Sequence, residues 1–182
     1  MANSAVLFKS HYGATSLYAQ HIAQSLGADL YDLGKDKKID FEKYDTLIYG
    51  GGIYAGSING LKKLKKHAEK LEGKSLVVFS VGLGDPTVAS EARTIINSVN
   101  KALPKELMAH THIFNFRGSL EWNKMSFMHR TMMKMVNNIL KKKKAEDLSD
   151  SERDTLNNFG KDIDHTNLAS AAPLIDYVLS LN

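Results

Sequence analysis

Short apolar segments alternate with amphipathic helical patterns along this chain. The apolar segments are nearly continuous and rich in β-branched or aromatic residues, as expected for strands buried on both faces of a sheet. They cover residues 5–8, 46–50, 75–82 and 111–116, and a further strand is predicted over 28–33. Strands that alternate with helices predict a parallel sheet with helices on both sides, so the expected fold class is α/β, a three-layer α/β/α sandwich.

The spacing of apolar residues in the helical patterns predicts which side chains face the core. These residues are Leu17, His21, Ile22 and Leu26 after the first strand; Leu61, Leu64, Ala68 and Leu71 after the third; and Ala92, Ile95, Ile96, Val99 and Leu103 after the fourth. The connection over 34–45 is short for a covering helix, which predicts a turn or a single helical turn. At the end of the chain, residues 166–182 predict a short helix that docks on the domain.

Length and composition limit the classes of protein that remain. A chain of 182 residues with 43% hydrophobic content suits one domain, residues 1–182, with one substantial core. The absence of cysteine excludes disulfides and thiolate metal sites. The apolar run near the N-terminus is too short for a signal peptide and no segment is long enough to cross a bilayer, so we expect a cytoplasmic protein.

Three glycine-containing loops follow predicted strands. They are SHYGAT (10–15), GGGIYAGS (50–57) and GLGDPT (82–87). Ligands of open parallel sheets bind outside the carboxyl ends of the strands, where these loops meet. The sequence therefore predicts one binding site that all three loops share.

The first loop joins a strand to the N-terminus of a helix, where free backbone N–H groups and the helix dipole favour an anion. Gly13 allows the tight turn, and Ser10 and Thr15 add hydroxyl groups. These features predict a phosphate site without a lysine. An ordinary strand-to-helix turn capped by Thr15 is the alternative. A Walker A loop is excluded because the chain contains no such string.

The second loop places Ile53 and Tyr54 at its tip, where a flat ligand ring could stack on the tyrosine. Alternatively, Tyr54 folds back on the domain. Gly50, Gly52 and Ala55 loosely match a dinucleotide fingerprint, but that fingerprint belongs after the first strand.

The third loop has two glycines, Gly82 and Gly84, that let backbone approach a ligand closely. Asp85 follows them and can accept or orient a hydrogen bond. By itself the segment is also an ordinary entry into the next helix.

These motifs resemble those of the flavodoxin-like FMN-binding proteins, over essentially the whole chain. The family's phosphate loop has the pattern [ST]-x-T-G-x-T, and SHYGAT matches it with Tyr12 in place of the middle threonine. The resemblance implies a five-stranded parallel sheet of order 2-1-3-4-5. It also implies a flavin site formed by Ser10, His11, Tyr12, Gly13, Ala14 and Thr15 at the phosphate, Gly52, Ile53, Tyr54 and Ala55 on one side of the ring, and Gly82, Leu83, Gly84 and Asp85 on the other.

Two longer segments resemble the menaquinone-dependent protoporphyrinogen oxidases and their unassigned flavodoxin-domain relatives. The segments are YGGGIYAGSINGLKKLKKHAEKL and FRGSLEWNKMSFMHRTMMKM, and the second begins an insertion after the fifth strand, about residues 117–147. The resemblance implies an FMN-dependent dehydrogenase that passes electrons from a reduced tetrapyrrole to a quinone. A flavodoxin-type electron carrier between proteins is the alternative, which the net charge of +4 disfavours because such carriers are typically acidic. A further alternative is a non-redox protein that has the same fold but no flavin.

The insertion also contains a methionine-rich helical pattern that ends in a lysine run, 141–144. Met125, Met128, Met132, Met135, Val136 and Ile139 are predicted to form one stripe. The stripe either packs on its own domain or, as a basic amphipathic helix over 125–144, lies on an anionic membrane at the inner face. The lysines are too localised for a nucleic-acid groove, and His110 with His112 lacks further metal ligands nearby. We therefore expect neither a nucleic-acid partner nor a bound metal.

Overall fold

The computed structural model describes residues 3–36, 38–54 and 56–181. Its strands are β1 (Ser4–Lys9), β2 (Asp29–Asp32), β3 (Thr46–Tyr54), β4 (Ser57–Ile58), β5 (Ser75–Gly82), β6 (Thr111–Arg117), β7 (Ser119–Leu120) and β8 (Ile163–Asp164). Five of them form a parallel sheet of order β2-β1-β3-β5-β6, and β4 pairs antiparallel with the end of β3. The predicted flavodoxin-like α/β fold and strand order are confirmed.

Helices cover both faces of the sheet. They are α1 (Ala14–Leu26), α2 (Ala68–Leu71), α3 (Ala89–Ala102), α4 (Lys105–Met108), α5 (Phe127–Leu140), α6 (Asp150–Asn157) and α7 (Ala172–Ser180), with 3-10 turns at Phe41–Lys43, Leu61–His67, Trp122–Lys124, Ala145–Asp147 and Leu168–Ala171. One core lies under α1 and α7, and a second lies under α2, α3 and α4. The short connection before β3 contains a single 3-10 turn, as expected.

Two of the side chains predicted to face the core are on the surface. Leu17 is 49% exposed and Ile96 is 44% exposed. α1 instead faces the sheet with Tyr18, Ala19 and Ile22, all fully buried. The prediction was wrong at Leu17 because it did not expect small alanines and a tyrosine to form the buried face of the helix. A tyrosine can be buried there because its hydroxyl finds a hydrogen-bond partner: the Tyr18 hydroxyl donates to the Arg117 carbonyl at 2.8 Å.

After β6 the chain leaves the parallel sheet in an excursion, residues 118–164, which begins and ends at a separate two-stranded sheet. β7 pairs antiparallel with β8, so this excursion continues through α5 and α6 to Asp164. The chain then enters α7, which packs against α1 with Leu174 and Val178 buried. Gly118 donates a backbone hydrogen bond to Gly82, and the Ser126 N–H donates to the Tyr12 hydroxyl, so the excursion lies at the carboxyl edge of the sheet beside the glycine loops.

Candidate functional site

The loop between β1 and α1 presents an uncapped helix N-terminus. Gly13 stands at the N-cap position with φ of 104°, no side chain caps the helix, and its first turn contains no acidic residue. The Gly13 N–H donates to the Ser10 hydroxyl oxygen at 3.1 Å, while Thr15 is buried in the first turn instead of capping it. The free N–H groups and the positive end of a 13-residue helix suit an anion here.

A cavity of about 150 Å³ opens beside this loop at the carboxyl edge of the sheet. Its walls include nine of the residues singled out in the sequence: Ser10, Tyr12, Ala14, Thr15, Gly52, Ile53, Tyr54, Gly82 and Leu83. His11 and Gly13 lie in the same loop but are exposed. Gly84 and Asp85 line a neighbouring cavity, and Ala55 lies outside the described residues.

The excursion supplies a wall that the sequence reasoning did not foresee. The residues of the excursion in this wall are Gly118, Ser119, Leu120, Met125, His129, Met132 and Met133, and Val81 of β5 lies beside them. Gly118 could have been recognised from the sequence as a residue of this site, because it is a glycine directly after a strand, like the glycines of the other loops. A Cβ atom there would lie 2.6 Å from Val81 Cγ1 and 3.2 Å from Ala14 Cβ.

The methionines do not form the single stripe that was predicted. Met125 and Met132 line the cavity, whereas Met128 and Met135 are 71% and 59% exposed on the outer face of α5. The inner face of this helix buries Asn137 and Leu140 instead. Periodicity identified the amphipathic helix, but methionine occurs on both of its faces.

Four aromatic rings cluster beside the cavity, and those of Tyr12, Tyr54 and His129 line it. Tyr54 and His129 are nearly parallel, with ring centroids 5.4 Å apart, and both lie near the rings of His11 and Tyr12. The Tyr12 hydroxyl is hydrogen-bonded to Nδ1 of His129 and accepts the Ser126 N–H at 3.3 Å. Tyr12 therefore joins the loop after β1 to the start of α5.

Tyr54 lies over its own strand and is half-buried. A Cβ atom on Gly52 would lie 3.0 Å from the Tyr54 ring, so glycine at 52 makes room for that ring. Burial, with a smaller contribution from Tyr12, raises the pKa of Tyr54 to about 12. Tyr54 therefore presents a neutral phenol to the cavity at physiological pH.

Arg117 fixes the loop after β5. Its Nε and Nη2 donate to the Leu83 carbonyl at 3.3 and 3.2 Å, and its Nη1 lies 4.0 Å from the Asp85 carboxylate. Asp85 also accepts hydrogen bonds from the Thr87 hydroxyl and backbone N–H at 2.7 and 2.9 Å. These bonds, aided by Arg117, lower the pKa of Asp85, so it is a carboxylate at neutral pH.

The residues present fit a ligand with a phosphate and a flat ring. The uncapped helix and the hydroxyls of Ser10 and Thr15 suit the phosphate, and Tyr54 with Ile53 offers a surface for the ring. The cavity is smaller than the 300–1,000 Å³ typical of small-molecule sites, and the side chains of Tyr12, Tyr54 and His129 are among those that line it.

Comparisons with known proteins found similar sequences and similar structures. An uncharacterised protein of Methanocaldococcus jannaschii is 30% identical over 129 residues, which cover 65% of this chain and 84% of that protein. The FMN complex of a flavoprotein from Lactobacillus acidophilus gives a TM-score of 0.48 at 13% identity, covering 64% of this chain and 93% of that one. A flavodoxin from Fusobacterium nucleatum bound to flavin mononucleotide gives 0.39 at 18% identity, covering 70% and 74%. The model of the flavodoxin domain family matches residues 5–147, and the chain belongs to that family.

Proposed function

We propose that this chain binds FMN tightly and non-covalently and acts as a redox enzyme that passes electrons to a quinone. One observation carries the proposal: the uncapped N-terminus of α1, the half-buried Tyr54 and the glycine-containing loop after β5 all border one cavity. Relatives whose structures contain FMN support the choice of this flavin.

Each loop has its own part in the proposed site. In this proposal residues 10–15 hold the phosphate, residues 52–54 lie on one side of the ring, and Gly82 and Leu83 lie on the other. FMN supplies the capacity to take up and release two electrons, and the protein selects the groups that face its ring.

The excursion favours a small-molecule partner over an electron carrier that serves other proteins. Met125, His129 and Met132 of the excursion line the cavity, so a protein surface would meet these side chains before it met the flavin ring. A small ring compound needs a much smaller opening. By the sequence resemblance, the electron donor in this proposal is a reduced tetrapyrrole.

Anaerobic reoxidation tests the choice between enzyme and carrier. We expect the dithionite-reduced flavoprotein to be reoxidised by menadione, a naphthoquinone, at a rate that saturates with menadione concentration. Cytochrome c serves as the protein acceptor for comparison, and protoporphyrinogen IX as the donor for the oxidised form. Rapid reaction with cytochrome c and none with menadione would instead support the carrier.

The outer face of α5 supports a location at the membrane, where quinones are found. Phe127, Met128, Met135 and Ile139 are all more than half exposed, and the lysine run follows them directly. Among the described residues no helix could span a bilayer. The proposed contact is peripheral, with the apolar side chains in the interface and the lysines on anionic headgroups.

Ion pairs reduce the charge available for this contact. The Nζ atom of Lys143 lies 2.6 Å from Oε1 of Glu152, and that of Lys144 lies 3.6 Å from Oε1 of Glu146. Lys141 and Lys142 form no ion pair within the described part of the chain. At roughly 1 kcal/mol for each free lysine, the electrostatic contribution is about 2 kcal/mol at low salt.

Co-sedimentation with vesicles tests the contact. We expect pelleting with vesicles containing phosphatidylserine, less with neutral vesicles, and a larger loss for Lys141→Gln/Lys142→Gln than for Lys143→Gln/Lys144→Gln. Lys65→Gln/Lys66→Gln removes the same charge from exposed positions on another element and should change nothing. Equal pelleting of all four proteins would contradict the membrane contact.

A further inference from the structure

A second cavity, of about 280 Å³, adjoins the first. It lies between the loop after β5 and the excursion, with α6 and β8 on its outer side. Leu83, Leu120 and Met133 line both cavities and form the partition between them. A ligand in this second cavity would lie next to a ring bound in the first.

The walls of the second cavity combine rings with hydrogen-bond donors. Trp122 and Phe159 meet edge to face with centroids 4.9 Å apart, and Ile163 adds apolar surface. Arg117, whose guanidinium is only partly used by the Leu83 carbonyl and Asp85, lines the same cavity together with His165. Aromatic walls suit a planar ring, and the donors suit carbonyl oxygens.

The charges of the cavity oppose an anionic ligand. Asp85, Asp150 and Asp154 line it, against one guanidinium and one histidine. A dinucleotide or a carboxylated tetrapyrrole would bring further negative charge close to these three carboxylates. The volume, just under the lower end of the usual range for small-molecule sites, suits a compound of one or two fused rings.

We propose that the second cavity is the acceptor site and holds the neutral ring of a quinone, with Arg117 and His165 donating hydrogen bonds to its carbonyl oxygens. This inference rests on the proposed function. Reduction of the quinone to the hydroquinone would take two electrons from the reduced cofactor and two protons from water, while the cofactor would return to its oxidised form and release its own protons to water. The electrons cross the partition of Leu83, Leu120 and Met133.

Trp122 is the sole tryptophan of the chain and lies in the wall of this cavity, so its fluorescence reports on occupancy without any flavin. We expect menadione to quench Trp122 saturably in the FMN-free protein. Asn158→Phe places a ring in the cavity at the C-cap of α6, where φ is −101° and phenylalanine is unstrained, and should raise the Kd of menadione about tenfold. Asn157→Phe, at the exposed neighbouring position, is the matched control and should leave the Kd unchanged.

The same titration with FMN present separates this inference from the proposed function. We expect menadione to bind at the same time as FMN, and FMN binding to be equal in both phenylalanine variants. Displacement of menadione by FMN would overturn the acceptor site. So would equal affinity of menadione for Asn158→Phe and for the parent. A failure of the protein to bind FMN would overturn the proposed function, whatever the menadione result.

Discussion

Gly13 is the residue on which the proposed phosphate site depends most directly. Nothing lies within 4 Å of a Cβ atom placed there, so a substitution acts through the backbone, whose φ of 104° side chains rarely adopt. We expect Gly13→Ala to strain or rebuild the turn at a cost of about 1–3 kcal/mol and to weaken FMN binding at least tenfold, because the loop N–H groups lose their alignment. Quenching of FMN fluorescence measures the Kd.

Gly27 offers the matched control at the other end of α1. It has φ of 61° and equally open surroundings, and it terminates the helix in the left-handed region. Gly27→Ala should lower stability by about 1 kcal/mol while leaving the Kd of FMN unchanged. Equal losses of affinity in the two variants would place the effect in α1 as a whole and contradict a phosphate site at Gly13.

Tyr54 predicts a pH dependence of stability. Its pKa rises from 10.0 to about 12 on folding, mainly through burial, so the unfolded chain loses this proton first as the pH increases. The contribution of Tyr54 is complete below pH 10 and is lost as the pH rises through 12. Urea unfolding between these values should show a steeper loss of stability for the parent than for Tyr54→Phe, and identical slopes would contradict the burial of this phenol.

At the scale of elements, α5 is the part of the molecule that restricts entry to the proposed flavin site. The His129 ring lies parallel to Tyr54, and a flat ring stacked on that face of Tyr54 would have to displace it. The Tyr12 hydroxyl holds this arrangement through Ser126 and His129. A flavin that stacks on this face of Tyr54 therefore requires the His129 ring to move away.

We expect Tyr12→Phe to accelerate both the association and the dissociation of FMN by loosening this contact. Stopped-flow fluorescence measures both rates. Tyr177→Phe removes a hydroxyl from a comparable tyrosine–histidine pair, with His112 at 2.6 Å, away from the cavity and should leave the rates unchanged. Rates in Tyr12→Phe equal to those of the parent would show that α5 does not control entry.

The terminal helix α7 is expected to stabilise the domain through the core it shares with α1. Leu174 is fully buried there, and Leu174→Ala should lower the free energy of unfolding by about 2–5 kcal/mol in urea titration. Leu179 lies on the same helix but is 48% exposed, so Leu179→Ala should have a much smaller effect. Similar losses in the two variants would contradict the docking of α7 on α1.

At the scale of the whole molecule, the parts predicted from sequence are those whose signal is local. The buried strands and the glycine loops have distinctive residues over a few positions, and the alternation of β and α then fixes the meeting of the loops at one edge. The pairing of β7 with β8 was not predicted, because strands of two residues have no periodicity and the paired residues lie 43 positions or more apart in the sequence. For the same reason Trp122, Phe159 and His165 gave no sign of a shared cavity.

The comparison of FMN with riboflavin tests the central claim most directly. The two ligands share the ring and differ by the phosphate, which we assign to the N-terminus of α1. We predict that the FMN-free protein binds one equivalent of FMN, and riboflavin at least a hundredfold more weakly, by calorimetry. Equal affinity for the two ligands, or no binding of FMN, would contradict the account.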